Sequence, residues 1–348
     1  MLCLISIESR VASDHPLRAI KRLADQALRE LSRTFRRMYA KDGRPSVPPE
    51  RLLKALLLMA FHSVRSERQL CEQLEYNLLF RWFLDMDAVE PSFDASTFSH
   101  NRERLLRHEV APRFLCVVIA QAKAAGLMSA EHFSVDGTLI EAWASIKSIR
   151  PKGKDDSDGK GWGDFAGEQR TNDTHESKTD PEARLMRKGK GREAKLSFSG
   201  HALMENRHGL LVDLRIAEAN GRAERDVALQ MLDAVVANGA RATVAADRGY
   251  DTADFVARCR QRGLTPHVAK NESGRRHSAI DGRTTRHVGY RMSLRARMLI
   301  EKIFGWVKSV GGLRRSRFKG KPRTQLAATL VAVAYNLLRM SRLLVSNG

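Results

Sequence analysis

The hydrophobic period of this chain changes once, near residue 127, and that change restricts the fold more than any other feature of the sequence. From His15 to about Gly126, apolar residues return every three and four positions, as in PLRAIKRLADQALRELSRTF, and PPERLLKALLLMAF opens with prolines suited to a first helical turn. Beyond that point short β-type runs alternate with helical ones. HFSVDGTLIEA, KLSFSGHALMENR, GLLVDLRIAEA, ATVAADRGYD and TPHVAKN read as strands. ERDVALQMLDAVVAN, TADFVARCRQR, SLRARMLIEKIFGWVKSV and TQLAATLVAVAYNLLRMSRLL read as helices. Three successive strands followed by alternating helices and strands describe an α/β layer arrangement with a mixed sheet. The 348 residues suffice for two domains. The expectation is an all-α N-terminal domain over residues 1–127 and an α/β domain over residues 128–348.

Two segments carry open readings. DASTFSHNRERLL should form a helix capped by Ser96, with Thr97, His100, Asn101, Arg102 and Arg104 along it. These residue types suit a groove-reading helix, and they equally suit a solvated polar face. Between the first and second strands, residues of about 146–195 are dense in Gly, Lys, Asp and Ser and cannot build a core. This flexible insertion is either an arm that closes on DNA through Trp162 or the basic stretch Arg184 to Lys195, or a solvated surface loop.

Lys and Arg number 60 against 40 Asp and Glu, a formal charge of +20. Such an excess calls for a polyanion, and nucleic acid fits because each neutralised phosphate releases condensed counterions. A membrane surface is the competing polyanion, but the best apolar run, Leu326 to Leu338, is shorter than a span of roughly 18 residues. MLCLISIESR has no basic n-region before Glu8. A cytoplasmic, nucleoid-associated chain with no membrane partner is expected. Cys3, Cys71, Cys116 and Cys259 lack metal or disulfide spacing and read as ordinary buried thiols.

Cutting a phosphodiester requires charge stabilisation on the entering and leaving oxygens, which two divalent ions can supply. Hard Mg²⁺ prefers carboxylate oxygens. Asp136 lies on or just past an apolar strand in FSVDGTLIEA, with Gly137 giving clearance beside it; alone, Asp-Gly is a common hairpin turn. Asp247 ends the run ATVAA, where α/β strands usually meet ligands, although it could serve equally as a loop or cap residue. Glu301 sits inside a strong helix and could simply pair with Arg297 one turn earlier. On a helical wheel Arg297, Glu301 and Lys308 project at roughly 0°, 40° and 20°, one narrow stripe bordering an apolar arc of roughly 200° to 340°. A carboxylate at the rim of a core can point into a cleft, and the flanking cations can neutralise phosphates or orient Glu301. Residues 302 to 348 then carry ten Lys or Arg and no Asp or Glu, with Arg314, Arg315, Arg317 and Lys319 in the cluster RRSRFKGKPR. We read that cluster as contacting DNA backbone, against the alternative of a solvated basic loop.

These residues resemble the DDE transposases of bacterial insertion sequences, particularly insertion-sequence family five. VPPERLLKALLLMAFHSVRSERQLCEQLEYNLLFRWFLDMD is similar to the family's helical N-terminal domain, and FSVDGTLIEAWAS, ADRGYD and IEKIFGWVKSVGGLRRSRF to its catalytic portion. The resemblance implies a ribonuclease H-like catalytic fold with Asp136 on the first strand, Asp247 after the fourth and Glu301 on a following helix. It implies Mg²⁺, with Mn²⁺ as a substitute, water attack at the element's ends, and attack of the freed 3′-hydroxyl on target DNA. The partners implied are double-stranded DNA, as terminal inverted repeats and target, and further copies of the chain in a synaptic complex. Arg297, Glu301 and Lys308 match three members of the family's Tyr-Arg-Glu-Lys signature, but Leu294 stands where the tyrosine belongs. The nearest tyrosine is Tyr290, which falls outside the helix if Ser293 is its N-cap. Readings from other classes are a non-catalytic DNA-binding repressor and a structure-specific nuclease with the same fold.

Overall fold

The computed structural model describes residues 6–38, 46–153, 171–187, 189, 191–221, 223–236, 240–272 and 277–346. Seven α-helices precede the first strand among these residues: α1 (Pro16–Glu30), α2 (Ser32–Met38), α3 (Pro49–Phe61), α4 (Glu67–Tyr76), α5 (Leu78–Phe83), α6 (Ala95–Arg107) and α7 (Val110–Ala124). Their starts are chemically marked. Pro16 occupies the first turn of α1 while the His15 ring accepts from the Leu17 amide, and Ser66 caps α4 by accepting from Gln69. On α6 the cap is Asp94, which accepts from the Ser96 amide, so Ser96 is not the capping residue expected from sequence. Asp94 wins because it alone has the extended backbone and a side-chain oxygen directed at the first-turn amides.

The chain then forms β1 (His132–Glu141), the short strands β2 (Ile149–Pro151), β3 (His175–Ser177) and β4 (Arg184–Met186), and the long strands β5 (Lys195–Glu205) and β6 (Leu211–Glu218). Helix α8 (Ala223–Val235), β7 (Ala242–Ala246), α9 (Ala253–Gln261) and β8 (Leu264–Val268) alternate before α10 (Gly282–Thr285), α11 (Val288–Ser309) and α12 (Lys321–Ser346). β5 pairs antiparallel with β1 and with β6, whereas β7 runs parallel to both β1 and β8. The main sheet therefore reads β6-β5-β1-β7-β8, with β4 beside the first residues of β5. This is the mixed sheet expected from the element order. The insertion contributes β2, β3 and β4, and Trp162 lies outside the described residues.

Both faces of the sheet are covered. Phe133 and Val135 of β1 pack with Leu229 and Leu232 of α8 and Phe255 of α9, while Ile140, Phe198, Ala202 and Ile216 pack with α12. That second cluster continues without a break into α1, α3 and α7, so α12 is the shared core helix of the helical layer and the sheet. Helix α12 is long and apolar enough to cross a membrane, yet 61% of its apolar window is buried against these elements. The turn between β5 and β6 is organised by Glu205, fully buried, whose carboxylate accepts from the amides of Arg207, His208 and Leu210 and of Ser129. Four donated N–H groups replace the water that a buried carboxylate loses. Cys71 and Cys259 are buried as expected and Cys3 lies outside the described residues, but Cys116 is exposed because it falls on the outer face of α7.

Candidate active site

Strand β7 stops at Ala246 while its partner β1 runs on to Glu141. The parallel register joins His132 to Thr243, Phe133 to Val244 and Ser134 to Ala245; continued by two residues, it brings Asp136 alongside Asp247. The two carboxylates thus share the C-terminal end of the parallel pair, the usual ligand position in such sheets. Asp247 caps the short turn Arg248–Tyr250 by accepting from the Gly249 amide at 2.8 Å. Asp136 is in the middle of β1 rather than at its end, and its Oδ1 accepts from the Gly137 amide at 2.8 Å.

Glu301 approaches from α11, which packs on β1 and β7. Between Glu301 and Asp136 lies Arg297, whose guanidinium is 3.5 Å from Asp136 Oδ2 and 3.7 Å from Glu301 Oε1. Arg297 and Asp136 are largely buried, with side-chain exposures of 15% and 17%, whereas Glu301 is 55% exposed. Burial pushes the Asp136 carboxyl up to about 6; Asp247 and Glu224 add to the rise, and the Gly137 amide and Arg297 oppose it. Ile300, Ile303, Phe304 and Val307 are buried on the neighbouring arc, which fixes the stripe of Arg297 and Glu301 at the edge of the core.

Helix α11 starts at Val288, with His287 in the N-cap position, so Ser293 is not its cap. The Ser293 hydroxyl instead bonds His267 at 2.7 Å, inside the protein. Tyr290 is therefore within the helix. Its hydroxyl donates to the Val268 carbonyl at 2.9 Å and its ring meets His267 edge-on, which anchors α11 to the end of β8.

Sequence reasoning missed Glu224. Located at the start of α8, its Oε1 lies 2.9 Å from where a Cβ on Gly137 would stand. Glu224 is exposed as a residue, yet partial desolvation of its carboxyl raises its pKa, and the Asp247 charge adds to that rise. An acidic residue in the first turn of a helix is ordinary, so only the pairing of Glu224 with Gly137 distinguishes it, and that pairing is tertiary.

The basic residues divide by partner. Arg315 donates to the carbonyls of Ala142 and Trp143, at 3.1 and 2.7 Å, and Arg317 to those of Val64 and Arg65. The backbone of this loop extends β1: Glu141 N–H donates to Arg314 O and Ser316 N–H to Glu141 O. Arg314 and Lys319 are exposed, and the Lys319 ammonium stands 5.0 Å from the Trp143 ring centre. Lys308 is half-buried near the C-terminal end of α11. On α6, Asn101 is buried and donates to the Thr97 carbonyl, while Arg102 pairs with Glu67 and lies over Phe318, leaving His100 the exposed member of that group.

Among the described residues no three His, Cys, Asp or Glu side chains already converge closely enough to cage a metal ion. Asp136 and Asp247 are nonetheless hard oxygen donors of the kind a divalent cation prefers, and Asp136 is buried with its pKa raised.

Among solved structures, the piggyBac transposase synaptic complex with hairpin DNA is similar over 95% of this chain and 76% of that one, at 12% identity and a TM-score of 0.45. A pre-cleavage Mos1 transpososome follows over 87% and 82%, at 11% identity and a TM-score of 0.21. A search of curated proteins found no match. Family membership rests instead on two sequence profiles. A transposase domain profile matches residues 5–104, and the Transposase DDE domain profile matches residues 130–337, more than half of the chain and all of the elements carrying Asp136, Asp247 and Glu301. The chain belongs to the DDE transposase family.

Proposed function

We propose that Asp136, Asp247 and Glu301 are the catalytic carboxylates with which this transposase cleaves DNA at the ends of its element and joins the freed 3′-hydroxyl to a target. The observation that carries the assignment is the register that aligns Asp136 with Asp247 beyond the end of β7, with Arg297 linking Asp136 to Glu301. A divalent cation bound there, Mg²⁺ or Mn²⁺ in its place, would stabilise charge on the entering and leaving oxygens of the phosphodiester. The carboxylates supply the charge that holds it. Arg297 shields the Asp136 charge until substrate arrives and is then placed to meet a phosphate oxygen.

Arg314 and Lys319 supply exposed charge for the DNA backbone next to the site, and Lys308 extends the same surface along α11. Arg315 and Arg317 position that surface by holding its loop to β1 and to the helical layer, and keep their charge for phosphates nearby. Residues 1–127 would serve as the helical DNA-binding portion and residues 128–348 as the catalytic portion. Two element ends must be paired, so the working form is a homo-oligomer on terminal inverted repeats and target DNA, in the cytoplasm at the nucleoid and without a membrane partner.

The test is nicking of DNA that carries the element's terminal repeats. Wild type should nick only with Mg²⁺ or Mn²⁺, and Asp247→Asn should not nick at all. Wild-type protein that binds these ends without nicking them overturns the reading in favour of a repressor. Cleavage without any joining of a pre-cut end identifies a nuclease.

A further inference from the structure

We propose that Glu224 is a fourth carboxylate of the site, reaching over Gly137 to hold the divalent cation together with Asp136 and Asp247. The inference rests on the reading of those two residues given above. Its basis is a fitted contact: a Cβ at position 137 would stand 2.9 Å from Glu224 Oε1 and 3.1 Å from its Cδ, closer than side chains pack. A Cβ on β1 there would displace that carboxylate from its place. The start of α8 is also tied to the Asp247 turn, because Arg225 donates to the Gly249 carbonyl at 3.2 Å. Gly249 in turn would crowd Asp247 Oδ1, at 3.0 Å, if it carried a Cβ. Two glycines thus flank two carboxylates on adjoining elements.

A second, independent observation is Tyr250. Its side chain is buried, 2% exposed, and its hydroxyl has no hydrogen-bond partner. Its amide donates to the Asp247 carbonyl at 3.1 Å, which sets the phenol in the turn that carries that carboxylate. A buried hydroxyl left unpaired is costly; a ligand held among the three carboxylates would give it a partner. The competing explanation is that Glu224 only complements the α8 macrodipole. That role needs neither a glycine opposite nor an orphaned phenol beside it.

The experiment is Mn²⁺ binding to the full-length, DNA-free protein, followed by electron paramagnetic resonance, with thermal unfolding as the check on folding. Glu224→Gln preserves shape and removes charge; Gly137→Ala preserves the carboxylate and displaces it. Both should weaken Mn²⁺ binding about tenfold or more, with unfolding midpoints near that of wild type, and Glu224→Asp should recover part of the affinity. If Asp247→Asn weakens binding while Glu224→Gln and Gly137→Ala bind as wild type does, the trio stands and the role of Glu224 is refuted. If Asp136→Asn and Asp247→Asn also bind like wild type, the trio itself fails and the inference falls with it.

Discussion

Replacing the carboxylate at the centre of the site should make the metal-free protein more stable. Asp136 titrates at about 6 in the folded chain, above its ordinary 3.8. The folded state therefore holds the proton more tightly than the unfolded one. The stabilising contribution is fully present below about pH 4, falls as pH rises towards 6, and is gone above it, leaving ionised Asp136 a net penalty at neutral pH. A shift of about two units corresponds to about 3 kcal/mol. The side chain is only 17% exposed, so solvent screening trims this modestly. Asn copies the neutral, protonated form and still accepts from the Gly137 amide. With an unfolding entropy of about 2.1 cal/mol/K per residue, 3 kcal/mol raises the midpoint of this chain by about 4 °C. The assay is thermal unfolding by circular dichroism with a chelator present, for wild type and Asp136→Asn, at pH 7.5 and pH 5. The gain should be about 4 °C at the higher pH and about half that at the lower. An Asn variant that is less stable at pH 7.5, or a gain independent of pH, refutes the view that Asp136 is a desolvated carboxylate awaiting a cation.

Arg297→Ala should remove the cation next to Asp136 and Glu301, shift the acid limb of the cleavage–pH profile to higher pH and reduce cleavage by about a hundredfold; an unmoved profile speaks against the pairing. Joint replacement of Arg314 and Lys319 by Ala should lower the slope of log K against log salt by about 0.9 for each phosphate left unneutralised, measured by DNA-binding anisotropy. Lys54, 2% exposed and bonded to Asp25 and Asp85, should on replacement by Met cost about 2 kcal/mol in chemical denaturation, less than a fully buried pair because both carboxylates are partly exposed. Gly311→Ala should cost about 1–3 kcal/mol by the same measurement, because its Cβ would lie 2.5 Å from Val331 Cγ1 and 2.8 Å from the Val307 carbonyl.

Much of the architecture was legible because periodicity is a local property. The short apolar run of β7 and the helical stripe of α11 are written in consecutive residues, and Asp247 is recognisable as the polar residue that ends an apolar strand. The continuity of the core was not legible. Nothing in TQLAATLVAVAYNLL says that α12 returns to α1, α3 and α7, since its apolar surface could equally have faced the sheet alone. The cap expected at Ser293 failed for a related reason: a serine pointing into the protein bonds His267 from β8, a partner 26 residues distant in the chain. Arg315 and Arg317 were read by charge, whereas the folded loop also uses their geometry to fasten β1 to its surroundings. Glu224 went unnoticed because the glycine that makes room for it belongs to another element.

Whether Asp136, Asp247 and Glu301 act as one catalytic set is tested most directly by strand joining. A pre-cleaved duplex ending in the element's terminal repeat with a free 3′-hydroxyl is incubated with supercoiled plasmid, Mg²⁺ and full-length protein, and joined product is quantified on gels. Wild type should join the end, while Asp136→Asn, Asp247→Asn and Glu301→Gln should each lose at least about a thousandfold of joining while binding the end as tightly as wild type. Joining close to the wild-type level by any of the three variants would contradict the assignment.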